Sequence, residues 1–150
     1  MSFATPAPLL PEILALHGKW RAPDPAVVTE EGSWTWREFT ERIHAFGNGL
    51  LALGLSPGDR VGLVMANGLP MVEAMFGTIA MGGVVVPLNV SVSDDAAVAM
   101  FNDAGVTAVV ASDEWLARLD NIASSLEQLP IRIAPTPSLS GWCGMGDVAA

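Results

Sequence analysis

GDRVGLVMANGLPMVEAMFGTIAMGGVVVPLN, residues 58–89, decides the fold. Residues 61–66 are a short apolar run behind the Pro57-Gly58 turn, which predicts a strand. Asn67 stands where a helix cap is needed, and Pro70 falls in the first turn, where its missing N–H costs little. Residues 69–81 are then apolar nearly all round, with Glu73 the only charge. Such a helix is covered on more than one side, so Met75 and Phe76 are expected between the sheet and a neighbouring element. Gly82-Gly83 stops it, and Val84-Val85-Val86 predicts a second buried strand. Strand, buried helix, glycine stop and strand in one short stretch make a βαβ crossover with parallel strands. The fold class is α/β.

Working outward, Ser91 to Ser93 leads into a helix over residues 94–104, whose Asp94-Asp95 start suits the positive end of the helix dipole. Gly105 ends it. Residues 106–111 predict another parallel strand, 113–119 and 121–129 one broken helix or two short ones, and 131–134 a last strand. Upstream, residues 9–20 place Leu10, Ile13, Leu14 and His17 at helical spacing. Residues 26–30 and 33–36 flank Glu31-Gly32, a hairpin signal that sets Trp34 and Trp36 on one face as packing residues. Thr35 and Glu38 form a T-x-x-E capping box. The helix it opens carries Phe39, Ile43, Phe46, Leu50 and Leu53 on one stripe, allows a Glu38–Arg42 pair, leaves His44 in solvent and ends at Gly54.

Composition excludes several functions. Sixteen acidic residues against seven basic give a net charge of −9, and no basic residue lies between Arg60 and Arg118. Nucleic-acid binding needs a basic face and is rejected. Charged residues are only 15% of the chain, below the usual ~25%, as expected of a piece whose apolar faces meet further segments. The single cysteine, Cys143, forms no intrachain disulfide, and the N-terminus lacks a basic, then apolar leader, so the expected compartment is the cytoplasm. No apolar run approaches the ~20 residues of a membrane span.

Catalytic, cofactor-binding and metal residues are each expected to be none. His17 has no second ligand at metal spacing, and Cys143 has no nearby base. Asp94-Asp95 and Asp113-Glu114 read as helix-start charge. Gly47-Asn48-Gly49-Leu50-Leu51-Ala52 spells G-x-G-x-x-A, but inside a helix rather than at a strand-to-helix turn, so the match is accidental. Glycines 141, 144 and 146 lack the following helix and lysine of a phosphate nest.

Two motifs carry a family resemblance. GSWTWREF at 32–39 and IAMGGVVVPLN at 79–89, with the GDRV turn at 58–61 between them, resemble the first two core motifs of the adenylate-forming superfamily. That superfamily comprises acyl-CoA synthetases, aryl-CoA ligases, luciferases and peptide-synthetase adenylation domains. The likeness runs from about Pro25 to about Trp115, more weakly to Pro135. It implies an incomplete three-layer αβα fold around a mainly parallel sheet. Residues 1–58 would form a helix, hairpin and capped helix packing on a second sheet, residues 59–134 a parallel α/β unit, and residues 135–150 a flexible tail. It further implies that a full-length ligase uses ATP, Mg and coenzyme A to activate a carboxylic acid, in fatty acid metabolism or related chemistry. The Ser/Thr/Gly-rich phosphate loop and later motifs have no counterpart here, so the chain alone is expected to be inactive. Ligases of this kind often place a basic or aromatic residue after PLN, where coenzyme A approaches; here Val90, Ser91 and Val92 stand there. The alternative reading is a short, non-catalytic α/β binding or interaction module. Self-association is expected from the apolar α-helical stripe at 39–50 and an open sheet edge.

Overall fold

The computed structural model describes residues 8–128, 130–136 and 139–150. The start of the N-terminal stretch read for a leader, Leu129 at the end of the last helical segment, and Pro137-Ser138 of the tail lie outside these.

Helix α1 (Leu10–Trp20) leads to an antiparallel hairpin, β1 (Pro25–Thr29) and β2 (Gly32–Thr35), and then helix α2 (Trp36–Ala52). Strand β3 (Arg60–Val64), helix α3 (Leu69–Ala80) and β4 (Val84–Pro87) form the βαβ unit. Helix α4 (Asp94–Ala104), β5 (Ala108–Ala111), α5 (Asp113–Ile122) with a 3-10 turn (Ala123–Ser125), β6 (Ile131–Ala134), β7 (Cys143–Gly144) and α6 (Met145–Val148) complete it. The larger sheet has the order β4-β3-β5-β6-β7, and every pairing in it is parallel. The α/β class is therefore as the sequence implies.

Alternation along the strands divides the core into two faces. Val61, Leu63, Ala108, Val110 and Ile133 meet Phe46, Leu50 and Ala74 from α2 and α3. Val64, Val109 and Ala111 meet Phe101 of α4 and Trp115, Leu116 and Leu119 of α5. The connections explain this layering. The chain leaves β3 for β4 on one side, then crosses back over β3 to β5 on the other. Crossovers of one hand that run in opposite directions must lie on opposite faces.

Several local expectations need correction. The hairpin connection is Glu30-Glu31, because Gly32 already pairs with Thr29. Trp36 opens α2 instead of ending a strand, since Thr35 caps that helix: its Oγ1 accepts from the Glu38 N–H, and its own N–H donates to Glu38 Oε2 at 2.8 Å. Glu38 is thereby engaged, and Arg42 turns to Glu73 instead. Asn67 does not cap α3; Gly68 holds that position with no side-chain cap. On α3 the buried residues are Glu73, Ala74, Gly77 and Thr78, while Met75 and Phe76 are half-buried. Small residues face inward because α2 approaches closely there: a methyl on Gly47 would sit 2.8 Å from Gly77 O, and one on Gly77 2.7 Å from a Phe46 ring carbon. The α2 stripe is consequently covered by the chain's own elements, with Phe39, Ile43, Phe46 and Leu50 buried and only Leu53 exposed. Strand β4 is an edge, so Val84 is exposed rather than buried.

Residues 143–148, read as part of an aperiodic tail, include β7 and α6, elements too short to show a period. Trp142 is buried beside them, and its Nε1–H donates to Asp120 Oδ1, which also pairs with Arg132.

Candidate functional site at the carboxyl ends of the strands

In a sheet of this order the connections after β3 and β5 leave toward opposite faces, which opens a crevice at the carboxyl ends of those strands. Ligands of open parallel sheets bind at such switch points. Here Ser112 N–H donates to Val64 O at 3.1 Å and carries the β3–β5 pairing past the last paired residues of the two strands. The open space lies one strand over, between the ends of β3 and β4. It is a cleft of about 410 Å³ lined by Met65, Asn67, Met71, Leu88, Asn89 and Val90 among others.

The loop after β4 forms one wall and is fixed from several sides. Asn89 Oδ1 accepts from Ser91 N–H at 2.8 Å, a local turn that Asn favours. Trp115, fully buried on α5, donates from Nε1 to Val90 O at 3.2 Å. One turn on, Arg118 donates to Val92 O at 2.7 Å and to Asp94 Oδ1 at 2.8 Å, while its guanidinium lies 3.6 Å from the Trp115 ring centroid. Asp94 is thus an ion-pair partner as well as a helix-start charge. Trp115 and Arg118 share a face of α5 by their i,i+3 spacing, but nothing local identifies two loop carbonyls as their acceptors.

The cleft's chemistry is narrow. Asn67 and Asn89 supply carboxamides, and the remaining named walls are apolar. Amides orient a ligand but do not neutralise phosphate charge. Arg60 sits at the opposite end of β3, where it donates to Ala104 O and Gly105 O. Arg118 is engaged as described. These residues do not fit a nucleoside triphosphate with its metal. The Val90 and Val92 carbonyls accept from Trp115 and Arg118, and the side chains of both valines are apolar.

A second groove, also about 410 Å³, lies between Trp34, Arg42, Glu73 and Pro70 on one side and Met145 and Ala149 on the other. Glu73 is buried, and burial raises its pKa above the ordinary value, partly offset by Arg42, whose Nη1 lies 3.4 Å from Glu73 Oε2. Arg42 also stacks over Trp34, 4.8 Å from the ring centroid. A raised carboxyl in a groove is a candidate base. Here it serves to join α2, α3 and β2, because its partner is a guanidinium and no nucleophile adjoins it among the groove residues.

Other residues weighed from sequence are dispersed. His17 stacks on Trp36 at 4.6 Å between centroids, and His44 is exposed. Cys143 pairs in β7 opposite Ile133 and is half-buried. Gly47 and Gly49 lie inside α2 as packing glycines. Gly144 precedes only the four-residue α6. Among the described residues no three His, Cys, Asp or Glu side chains are grouped as metal ligands. No helix described is long and apolar enough to cross a membrane.

A 3-hydroxybenzoate–CoA/4-hydroxybenzoate–CoA ligase of Thauera aromatica is 32% identical over 119 residues, 76% of this chain and 23% of that protein. The nonribosomal peptide synthetase ecdA of Aspergillus rugulosus is 29% identical over 126 residues, 77% of this chain and 2% of that protein. The chain therefore spans less than a quarter of the length of either relative. A solved structure from Rhodopseudomonas palustris CGA009, assigned as a long-chain-fatty-acid CoA ligase, matches with a TM-score of 0.88 at 20% identity. The match covers 95% of this chain and 36% of that one, and at this identity it speaks for the fold. The family model for AMP-binding enzymes matches residues 18–142, nearly the whole of the layered core described above, and the chain belongs to that family.

Proposed function

We propose that this chain is the N-terminal part of an ATP-dependent carboxylic acid–CoA ligase and is catalytically inactive alone. The observation that carries the reading is the family match over residues 18–142, combined with a strand-end cleft that has no cation to hold phosphate. In the full-length enzyme a carboxylate attacks the α-phosphorus of ATP, releasing pyrophosphate, and a thiol then takes the acyl group and releases AMP. The present residues supply scaffold for that chemistry: the β3–α3–β4 unit, and a β4 loop held by Trp115 and Arg118. The substrate is a carboxylic acid, coenzyme A is the favoured acceptor, and the cytoplasm is the favoured compartment.

The second reading, a short binding or interaction module, is favoured by one feature. The 150 residues cover both faces of their sheet, as a self-sufficient domain must. Reading the coding sequence beyond Ala150 separates the two. A Ser/Thr/Gly-rich loop followed by Lys, in a longer product that forms acyl-adenylate, is the expected result. A stop codon directly after Ala150 in the native gene would reverse the preference.

A further inference from the structure

We infer that α1 is a self-association surface at which two copies of this chain pair through antiparallel α1 helices. One side of α1 faces the protein: Leu14 is buried, His17 stacks on Trp36, and a methyl on Gly18 would meet Thr40 Oγ1 at 2.5 Å. A strip about a third of a turn away round the helix is apolar and exposed among the described residues. Leu9, Ile13, Leu16 and Trp20 are 67%, 36%, 44% and 74% exposed. Their spacing of four, three and four residues is the seam of a coiled coil, in which two helices bury alternate knobs against each other.

Charge selects the partner and its direction. Glu12, whose Oε2 accepts from the Leu9 N–H at 2.8 Å and whose second oxygen stays open among the described residues, and Lys19 flank the seam one heptad apart and so occupy equivalent positions beside it. In an antiparallel pair these positions face each other, bringing Glu12 near Lys19 of the second copy and the reverse. That arrangement also sets the acidic first turn of one helix beside the basic last turn of the other. Pairing centred on the seam puts Ile13 opposite Leu16 of the other copy. A net charge of −9 disfavours an anionic lipid surface as the alternative occupant. A three-turn helix is only about 16 Å long. The face it offers is small beside the ~1,200–2,000 Å² of a stable interface, so the pairing is weak and concentration-dependent.

Sedimentation velocity of the 150-residue chain, from low micromolar to near millimolar concentration, should show a reversible monomer–dimer equilibrium. Leu16→Glu should weaken it by about ten-fold or more while leaving circular dichroism and the melting temperature of dilute protein unchanged. In a Cys143→Ser background, chains carrying Ile13→Cys mixed with chains carrying Leu16→Cys should give mixed disulfide dimers in preference to either like pair. A monomer at every concentration, a dimer indifferent to Leu16→Glu, or disulfides favouring like pairs would each overturn the inference.

Discussion

Glycine and one buried acid set the close contacts of this molecule. A methyl on Gly49 would lie 1.6 Å from Val148 O, so α6 can rest on α2 only where a side chain is absent. Gly49→Ala should therefore displace α6, costing about 1–3 kcal/mol as overpacking and raising amide exchange at residues 145–148. The letters of a dinucleotide motif are visible in sequence at 47–52, but the helix that would touch them is not, which is why these glycines read as accidental rather than as contacts. Glu73 gives a pH test. Burial raises its folded pKa above the unfolded value, so its contribution to stability is fully present below the unfolded pKa and is lost as pH rises through the folded one. Glu73→Gln should thus compare best with the parent near neutral pH, and its relative melting temperature should fall as the pH is lowered through the carboxylate range. A relative melting temperature of Glu73→Gln that instead rises as the pH is lowered would show that the pair with Arg42 outweighs burial.

At the scale of elements, legibility followed the length of the pattern. The capping box at Thr35 and Glu38 and the glycine stops at Gly82 and Gly105 lie where the structure has helix ends, because each is satisfied within a few residues of itself. Thr35→Ala should cost about 0.5–2 kcal/mol in a thermal melt. Strand β4 was misread as buried because an apolar triplet does not reveal whether a neighbour covers it. The α5 clamp was invisible for a related reason: Trp115 and Arg118 act on carbonyls of a loop more than twenty residues away. Trp115→Phe retains most of the buried ring but loses the bond to Val90 O. It should increase amide exchange across residues 88–93 with a modest loss of stability, whereas Trp115→Ala should cost about 3–5 kcal/mol. Equal exchange in that loop for parent and Trp115→Phe would mean that the loop is held by its own Asn89 turn.

For the whole molecule, the fold was largely legible and a reactive site was not, because the periodic core is here while the strand-end cleft offers carboxamides and apolar walls. The five-stranded parallel sheet, with helices on both faces, is the architecture shared with the solved structure from Rhodopseudomonas palustris CGA009. Adenylate formation needs charge placed against phosphate, since stabilising the transferring group is most of that catalysis. Arg60 lies at the far end of β3 and is committed to the end of α4, and Arg118 is committed to the β4 loop. ATP–pyrophosphate exchange by the purified 150-residue chain, with Mg and a panel of aromatic, short and long-chain carboxylic acids, should stay at the protein-free background. Acid-dependent exchange above that background, lost on removing the acid, would contradict the assignment of this chain as scaffold without the reacting groups.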